Sequence, residues 1–197
     1  LKFREPVMDL DRVRQKTRAV VAQMTGGLGQ LCRARNLRYL QARASFIDAN
    51  TLAVFHQDGR EDVLKARDVI IASGSRPALF GPLIDSPRLM NSTSALQMED
   101  IPENLLVIGG GYIGLELGTV YASLGSKVTV VEMADGLLAG ADRDLVKPLA
   151  ARLGSLMHEI MLGTRVVEMK EQKNGIKVTF EGAAVKNPSR VFDKVLI

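Results

Sequence analysis

Three glycines and one acid are the residues of this sequence whose types and spacing fit ligand chemistry best. Gly109, Gly111 and Gly114 form a G-x-G-x-x-G pattern, and Glu132 lies further along the chain. The first glycine permits a tight turn, and the second lets a pyrophosphate approach the N-terminus of a helix, where free N–H groups and the dipole favour anions. The third lets the helix lie close to a strand. The pattern predicts a dinucleotide site.

The segments around the glycines predict the elements that would position them. Leu105 to Ile108 form an apolar run typical of a buried strand, and apolar residues then recur at helical spacing as far as Gly125. Val128 to Val131 predict a second strand, which ends at Glu132. In isolation the pattern could be a glycine-rich turn of any α/β protein. The strand–turn–helix–strand context is what makes it informative.

Glu132 bears on which dinucleotide would bind. An acid at the end of the second strand can accept hydrogen bonds from the adenosine ribose hydroxyls, and its charge repels a 2′-phosphate. The residues that follow are Met133, Ala134 and Asp135, so no cation stands next to Glu132 in the sequence. The pattern favours NAD over NADP, and the alternative is a solvent-exposed acid at a strand end.

Composition and cysteine content exclude several classes of protein. The chain has 197 residues, of which 46% are hydrophobic and 24% charged, as in ordinary globular proteins. No apolar run approaches the roughly 18–20 residues of a membrane span. The single Cys32 excludes an internal disulfide and a multi-cysteine metal site, and His56 and His158 lie far apart, so we expect no metal site.

Positive charge is concentrated near the start of the chain. The first 43 residues hold ten Lys and Arg against three acids, whereas the remainder holds 16 against 19. Such an arm could attract nucleic acid. However, the cations from Arg12 to Arg18 flank an apolar stripe that runs from Leu10 to Met24, which favours the solvated face of a helix. We therefore predict neither a nucleic-acid nor a membrane partner.

Turn and periodicity signals predict the elements that precede the glycine pattern. We expect a helix from Asp9 to Met24 that ends at Gly26-Gly27, and a second helix from Leu28 to Arg35. Val69 to Ala72 predict a buried strand, and residues 76–91 a connector rich in proline. Three further strands are expected in the segments YLQARASFI, TLAVFH and EDVLKA.

The segments on either side of the glycine unit give further expectations. A short helix is predicted from Ser94 to Glu99, with Ser92 or Thr93 as its cap. Asp142 is expected to cap a helix to Leu153, kinked at Pro148. Three strands are predicted in GTRVVEMKEQ, NGIKVTFEG and RVFDKVLI, the first two joined as a hairpin at Asn174-Gly175.

Two segments together resemble the flavin-dependent pyridine nucleotide–disulfide oxidoreductases. They are LLVIGGGYIGLELGTVYASLGSKVTVVEM and the more specific VIIASGSRP. In that family an NAD domain is inserted into an FAD domain. The resemblance implies an α/β, Rossmann-like FAD/NAD(P)-binding fold of three layers (ββα). Residues 1–92 would be the later part of an incomplete FAD-binding domain, and residues 93–197 an NAD-binding domain whose C-terminal end is cut.

The resemblance also implies which residues contact each cofactor. Glu116 matches a carboxylate that pairs with a lysine near the flavin and nicotinamide, although helix-dipole stabilisation would also explain an acid there. Tyr112 matches a tyrosine that covers the flavin in some members, and otherwise is an exposed aromatic at a loop tip. The implied NAD contacts are Ile108, Gly109, Gly110, Gly111, Tyr112, Ile113, Gly114, Glu116, Glu132, Met133 and Val166, and the implied FAD contacts are Ala44, Ser73 and Gly74.

The family's redox machinery has no counterpart in these residues. Its members pass electrons between NADH, FAD and a C-x-x-x-x-C pair, beside a His–Glu base from the partner subunit. Cys32 stands alone and neither histidine has the required context. We therefore expect an internal fragment that binds NAD and has no catalytic residue of its own, with Glu116 at most a support near the flavin.

The implied parent protein oxidises protein-bound dihydrolipoamide and reduces NAD through FAD and a redox disulfide. The resemblance implies NAD and FAD as cofactors, a homodimer, and a lipoyl-bearing acyltransferase of a 2-oxoacid dehydrogenase complex as partner, in a bacterial cytoplasm. Two alternatives stay open at this point. One is a sibling reductase of the mercuric or glutathione type, and the other is a stand-alone NAD-binding module without catalysis.

Overall fold

The computed structural model describes residues 8–78, 81–183 and 185–197, and the chain divides into two compact units. The smaller unit is Gln15–Arg76, and the larger unit combines Pro77–Ile197 with the residues up to Arg14. The boundary at residues 92 and 93 between an FAD and an NAD domain stays a prediction.

Most of one long helix and a three-stranded sheet supply the regular structure of the smaller unit, since the helix begins five residues before that unit does. Helix α1 runs from Leu10 to Ala34. The predicted break at Gly26-Gly27 is therefore wrong, and the two predicted helices are one. A glycine ends a helix by adopting a positive φ, which neither of these two does. Strands β1 (Ala42–Asp48), β2 (Thr51–His56) and β3 (Glu61–Lys65) confirm the three predicted strands, paired antiparallel in the order β1-β2-β3.

The segment from Val69 to Ala72 has irregular structure, so the predicted buried strand there is wrong. Ile70 is 91% exposed and Ile71 is 74% exposed. A strand requires a neighbour that takes its backbone hydrogen bonds. Among the described residues, no strand pairs with this segment.

The larger unit is built on a parallel sheet. Its elements, in chain order, are β4 (Leu89–Met90), α2 (Ser92–Ala95), β5 (Asn104–Ile108), α3 (Tyr112–Ser123), β6 (Lys127–Val131), α4 (Arg143–Leu156), β7 (Glu159–Met161), β8 (Arg165–Gln172), β9 (Gly175–Glu181), β10 (Ser189–Phe192) and β11 (Lys194–Leu196). Five strands pair in parallel in the order β4-β11-β5-β6-β7. Strands β8, β9 and β10 form a separate antiparallel sheet.

Two apolar clusters cover the opposite faces of the parallel sheet. Leu105 and Val107 of β5 belong to a cluster that includes residues of α3 and α4, whereas Leu106 between them packs with Val178 and Phe180 of β9. Successive strand residues point to opposite faces, so this alternation places helices on one side and the antiparallel sheet on the other. The three-layer, Rossmann-like α/β prediction is confirmed.

Several boundaries differ from the predicted ones. Helix α2 begins at Ser92, earlier than predicted, because Asn91 and Ser94 form a reciprocal cap: the Asn91 side chain accepts the Ser94 N–H and the Ser94 hydroxyl accepts the Asn91 N–H. The segment RVFDKVLI splits at Asp193 into β10 and β11, in different sheets. The Asp193 carboxylate accepts the Asn104 N–H at 2.8 Å, which anchors the break beside β5. The β8–β9 hairpin is confirmed, with Gln172 opposite Gly175.

Candidate functional site

The glycine loop connects β5 to α3 and has the geometry that its sequence predicted. Gly109 has a φ of +105°, a conformation that favours glycine, where the chain turns off the strand. A Cβ on Gly114 would lie 2.7 Å from the Gly109 carbonyl oxygen and 2.9 Å from Val107 Cγ1. The absence of a side chain at Gly114 therefore allows α3 to pack directly on β5.

The N-terminus of α3 is open. Its N-cap residue is Gly111, so no side chain caps the helix, and the Gly111 carbonyl accepts the Leu115 N–H at 3.0 Å. The N–H groups of the first turn precede that bond and are available to an anion. A Cβ on Gly111 would meet nothing within 4 Å. This end of the helix is therefore open to an approaching group.

Glu132 lies at the end of β6 and is hydrogen-bonded to backbone on both sides. One carboxylate oxygen accepts the Gly110 N–H at 2.6 Å, and the other accepts the Ala134 N–H at 2.7 Å. The acid therefore ties the glycine loop to the strand end, a structural role that its sequence position did not indicate. Each carboxylate oxygen has a second lone pair, so Glu132 can still accept a ribose hydroxyl.

Two pockets meet at the glycine loop. One has a volume of about 250 Å³ and the other of about 310 Å³, and both are lined by Ile108, Gly109 and Gly111. The first continues along β11 to Ile197, and the second continues past Glu132. Together they form a two-lobed groove at the carboxyl ends of the parallel strands, where open α/β sheets bind ligands. We call them the β11 pocket and the β6 pocket.

Most of the residues implied for NAD line this groove. Gly110 does not, since it is buried beneath the loop, where an added Cβ would lie 2.7 Å from Leu137 Cδ2. Glu116 is exposed and lines a different pocket on the side of α4. The β11 pocket is lined by Ile108, Gly109, Gly111, Tyr112, Ile113 and Gly114, and the β6 pocket by Ile108, Gly109, Gly111, Glu132, Met133 and Val166. Contact with NAD stays a prediction for each of them, as does the role of Tyr112.

Thr164 and Arg165 are among the lining residues of the groove that the sequence analysis missed. Thr164 donates its backbone N–H to the Glu132 carbonyl at 2.9 Å, which lays the start of β8 beside the end of β6. Thr164 and Arg165 consequently line the β6 pocket. They lie far from Glu132 in the chain, so only the pairing of these segments reveals them.

The residues implied for FAD lie in the smaller unit. Ala44 is an exposed residue of β1, opposite Val54 of β2. Ser73 and Gly74 are exposed and irregular, and Gly74 has a φ of +75°. Exposed backbone of this kind is accessible to a ligand. Contact of these residues with FAD stays a prediction.

The groups whose pKa is shifted lie outside the groove. Burial raises the pKa of Tyr121, whose hydroxyl donates to the Ala95 carbonyl at 2.8 Å. The hydrogen bond from Lys127 lowers the pKa of Glu103. In the part of the chain that the structure describes, no cluster of three or more His, Cys, Asp or Glu side chains could hold a metal. None of the described helices is long and apolar enough to cross a membrane.

Comparisons with known proteins agree with this geometry. Residues 4–195 match the family described as pyridine nucleotide-disulphide oxidoreductase. Dihydrolipoyl dehydrogenase of Haemophilus influenzae is 41% identical over 197 residues, which cover 99% of this chain and 41% of that protein. The Vibrio cholerae enzyme of the same name is 39% identical with the same coverage. The chain thus spans 41% of the length of these curated relatives.

Solved structures show the same fold. The HOCl-induced flavoprotein disulfide reductase RclA from Escherichia coli superposes with a TM-score of 0.78 at 26% identity, over 96% of this chain and 42% of that one. LpdA from Mycobacterium tuberculosis has a TM-score of 0.82 at 20% identity, over 97% of this chain and 42% of that one. From its sequence match over residues 4–195 and its three-layer fold, the chain belongs to the pyridine nucleotide-disulphide oxidoreductase family.

Proposed function

We propose that this chain forms the NAD-binding part, and a portion of the FAD-binding part, of a flavin-dependent dihydrolipoyl dehydrogenase. The observation that carries the proposal is the open N-terminus of α3 at Gly111, which lies between two pockets with Glu132 beside one of them. Identities of 41% and 39% to dihydrolipoyl dehydrogenases support this activity.

Each part of the groove has a role in binding NAD. The pyrophosphate lies at the N-terminus of α3, where the N–H groups from Tyr112 to Gly114 face it. The adenosine occupies the β6 pocket, with its ribose hydroxyls at Glu132 and its base against Val166. The nicotinamide occupies the β11 pocket.

The β11 pocket suits a hydride transfer. NAD, when bound, supplies the hydride acceptor of the reaction. The apolar side chains of Ile108, Ile113 and Leu196 line the pocket, and they would give a bound nicotinamide ring an apolar surface to lie against. The chain itself binds and orients the nicotinamide.

The remaining parts of the proposed activity belong to the whole protein. That protein uses FAD and a redox disulfide to oxidise dihydrolipoamide on an acyltransferase of a 2-oxoacid dehydrogenase complex, as a homodimer. This sequence has a single cysteine, Cys32. The redox disulfide therefore requires cysteines other than Cys32.

Titration of the 197-residue chain with NADH and NADPH tests the proposal. We expect NADH to bind saturably and NADPH at least about tenfold more weakly, since the Glu132 charge opposes the 2′-phosphate. Isothermal calorimetry measures both dissociation constants. Absence of NADH binding would overturn the proposal that this chain forms the NAD site.

Substitution of Gly111 locates the binding. Its φ is −78° and an added Cβ would meet nothing within 4 Å, so Gly111→Ala should fold normally. The methyl group would nevertheless lie where the pyrophosphate approaches, and we expect NADH affinity to fall at least about tenfold. Gly154→Ala is the matched control, because it also adds a methyl in open space but lies in α4. Equal NADH affinity of the two variants would contradict the assigned phosphate position.

A further inference from the structure

A cross-strand ion pair stands at the edge of the β6 pocket. Arg165 begins β8 and is the register partner of Glu181, which ends β9. The Arg165 guanidinium donates to Glu181 Oε2 from Nη2 at 2.8 Å and from Nε at 3.2 Å. Their side chains are 58% and 61% exposed, so a solute can reach both.

Arg165 connects two cavities. It lines the β6 pocket with Glu132 and Val166, and it also lines an adjacent cavity of about 210 Å³ that contains Glu181. Met133 and Thr164 line both cavities as well. The smaller cavity, which we call the annex, is therefore an extension of the β6 pocket beyond Met133.

Backbone hydrogen bonds hold the annex close to Glu132. The Thr164 N–H bonds to the Glu132 carbonyl at 2.9 Å, and the buried Thr164 hydroxyl donates to the Leu162 carbonyl at 3.0 Å. Immediately after β9, a Cβ on Gly182 would lie 2.6 Å from the Gly163 carbonyl oxygen, so the two segments approach closely. Arg165 thus directly follows the residue whose backbone N–H bonds to the Glu132 carbonyl.

We propose that Glu181 adds to the nucleotide selectivity of the groove by occupying Arg165, which would otherwise bind the 2′-phosphate of NADPH. The inference rests on the proposed NAD site and deepens it. A guanidinium is the preferred side-chain partner of a phosphate, because its fork of N–H donors matches two oxygens. Here the fork already donates twice to a carboxylate. A 2′-phosphate must compete with that carboxylate for the guanidinium and also approach Glu132.

Selectivity for NAD therefore has two acidic components. Glu132 accepts the ribose hydroxyls, and Glu181 neutralises the cation that the fold places beside them. Exposed ion pairs are individually weak, so the second component should be moderate and sensitive to salt. A sequence comparison limited to Met133, Ala134 and Asp135 would miss it, since Arg165 and Glu181 lie on a later hairpin.

The test compares NADH and NADPH affinities of the full 197-residue chain carrying Glu181→Gln. We expect NADPH affinity to rise about fivefold at low salt, because one exposed unit charge is removed near the phosphate. NADH affinity should stay within about twofold, since NADH lacks the phosphate and Glu181 does not line the β6 pocket. The gain should shrink at ~1 M salt, where the screening length is about 3 Å.

Two further variants separate this effect from a general change of charge. Adding Arg165→Gln to Glu181→Gln should abolish the gain in NADPH affinity, because the phosphate partner is then missing. Glu171→Gln removes the same charge from an exposed ion pair with Arg88, 3.8 Å apart, near the far end of β8. Glu171 is about 20 Å along the strand from Arg165, and this control should leave NADPH affinity unchanged.

The outcomes distinguish this inference from the proposed function. NADH binding by every variant without a gain for NADPH in Glu181→Gln would overturn the role of Glu181 and leave the NAD site intact. An equal gain in Glu171→Gln, or a gain that survives Arg165→Gln, would also overturn it. Failure of NADH to bind to the unmodified chain would overturn both proposals.

Discussion

The two units of the chain differ in how far they bury their own apolar residues. In the larger unit Leu105, Leu106 and Val107 are all 0% exposed, and the sheet is covered on both faces. Among residues 15–76, which make up the smaller unit, Val54 is the only buried residue, and its exposed fraction is 4%. Helix α1 contributes no buried residue.

The difference shows what an apolar pattern does and does not determine. The stripe on α1 and the glycine-unit strands both have the periodicity of a buried face. On α1, however, Val20 is 46% exposed and Met24 is 69% exposed. The pattern identifies a face that gains free energy when it is covered. Whether the face is covered depends on the elements that pack against it.

The sharpest test compares one deletion in each unit. Leu105→Ala removes a fully buried side chain from the larger core and should lower the free energy of unfolding by about 2–5 kcal/mol. Val63→Ala, in β3 of the smaller unit, should change it by less than about 0.5 kcal/mol, because Val63 is 65% exposed. Urea unfolding followed by circular dichroism measures both. A large loss for Val63→Ala would show that this face is covered in solution.

Two glycine-to-alanine substitutions, one in each unit, should change the stability of the chain in opposite directions. Gly114→Ala should destabilise the larger unit by about 1–3 kcal/mol, since its Cβ would lie 2.7 Å from the Gly109 carbonyl oxygen. Gly26→Ala should stabilise α1 by about 0.4–1 kcal/mol, because the methyl meets nothing within 4 Å and the unfolded chain loses freedom. Thermal unfolding measures each shift. A lower melting temperature for Gly26→Ala would contradict the uninterrupted helix.

A third contrast concerns a buried hydroxyl. Tyr121→Phe removes the donor to the Ala95 carbonyl and should cost about 1 kcal/mol. Tyr39→Phe, in the smaller unit, should cost almost nothing, because Tyr39 is 76% exposed. A Tyr121→Phe variant as stable as the unmodified chain at neutral pH would show that the hydrogen bond contributes no net stability.

The difference in stability between the unmodified chain and Tyr121→Phe should depend on pH, and the sign of that dependence is defined. Burial raises the pKa of Tyr121 above its unfolded value of about 10. Its contribution to stability is therefore complete below pH ~10 and is lost as the pH rises through the folded pKa. Above that pH, the unmodified chain should lose stability that Tyr121→Phe does not lose. Urea titrations from neutral pH upward measure the difference.

Sequence signals within short segments were sufficient to predict the centre of the candidate site, which is the glycine loop between β5 and α3. The turn at Gly109, the close packing at Gly114, the helix that follows and the hairpin at Gly175 all depend on backbone freedom and on periodicity within a short segment. The parallel pairing of β5 with β6 also follows from them, because a helix that connects two strands favours a parallel pair. These features are encoded by residues that are neighbours in the chain. The three-layer fold as a whole was implied by the family resemblance.

Only the tertiary structure decided which distant segments meet. The splitting of RVFDKVLI at Asp193, the exposure of Ile70 and the position of Arg165 beside Glu132 all depend on pairing between strands far apart in sequence. A strand pattern is satisfied equally by several neighbours, since backbone hydrogen bonds carry no sequence information. The packing of whole layers decides which neighbour a strand pairs with. Here it brings Arg165 near Glu132, although no cation stands next to Glu132 in the sequence.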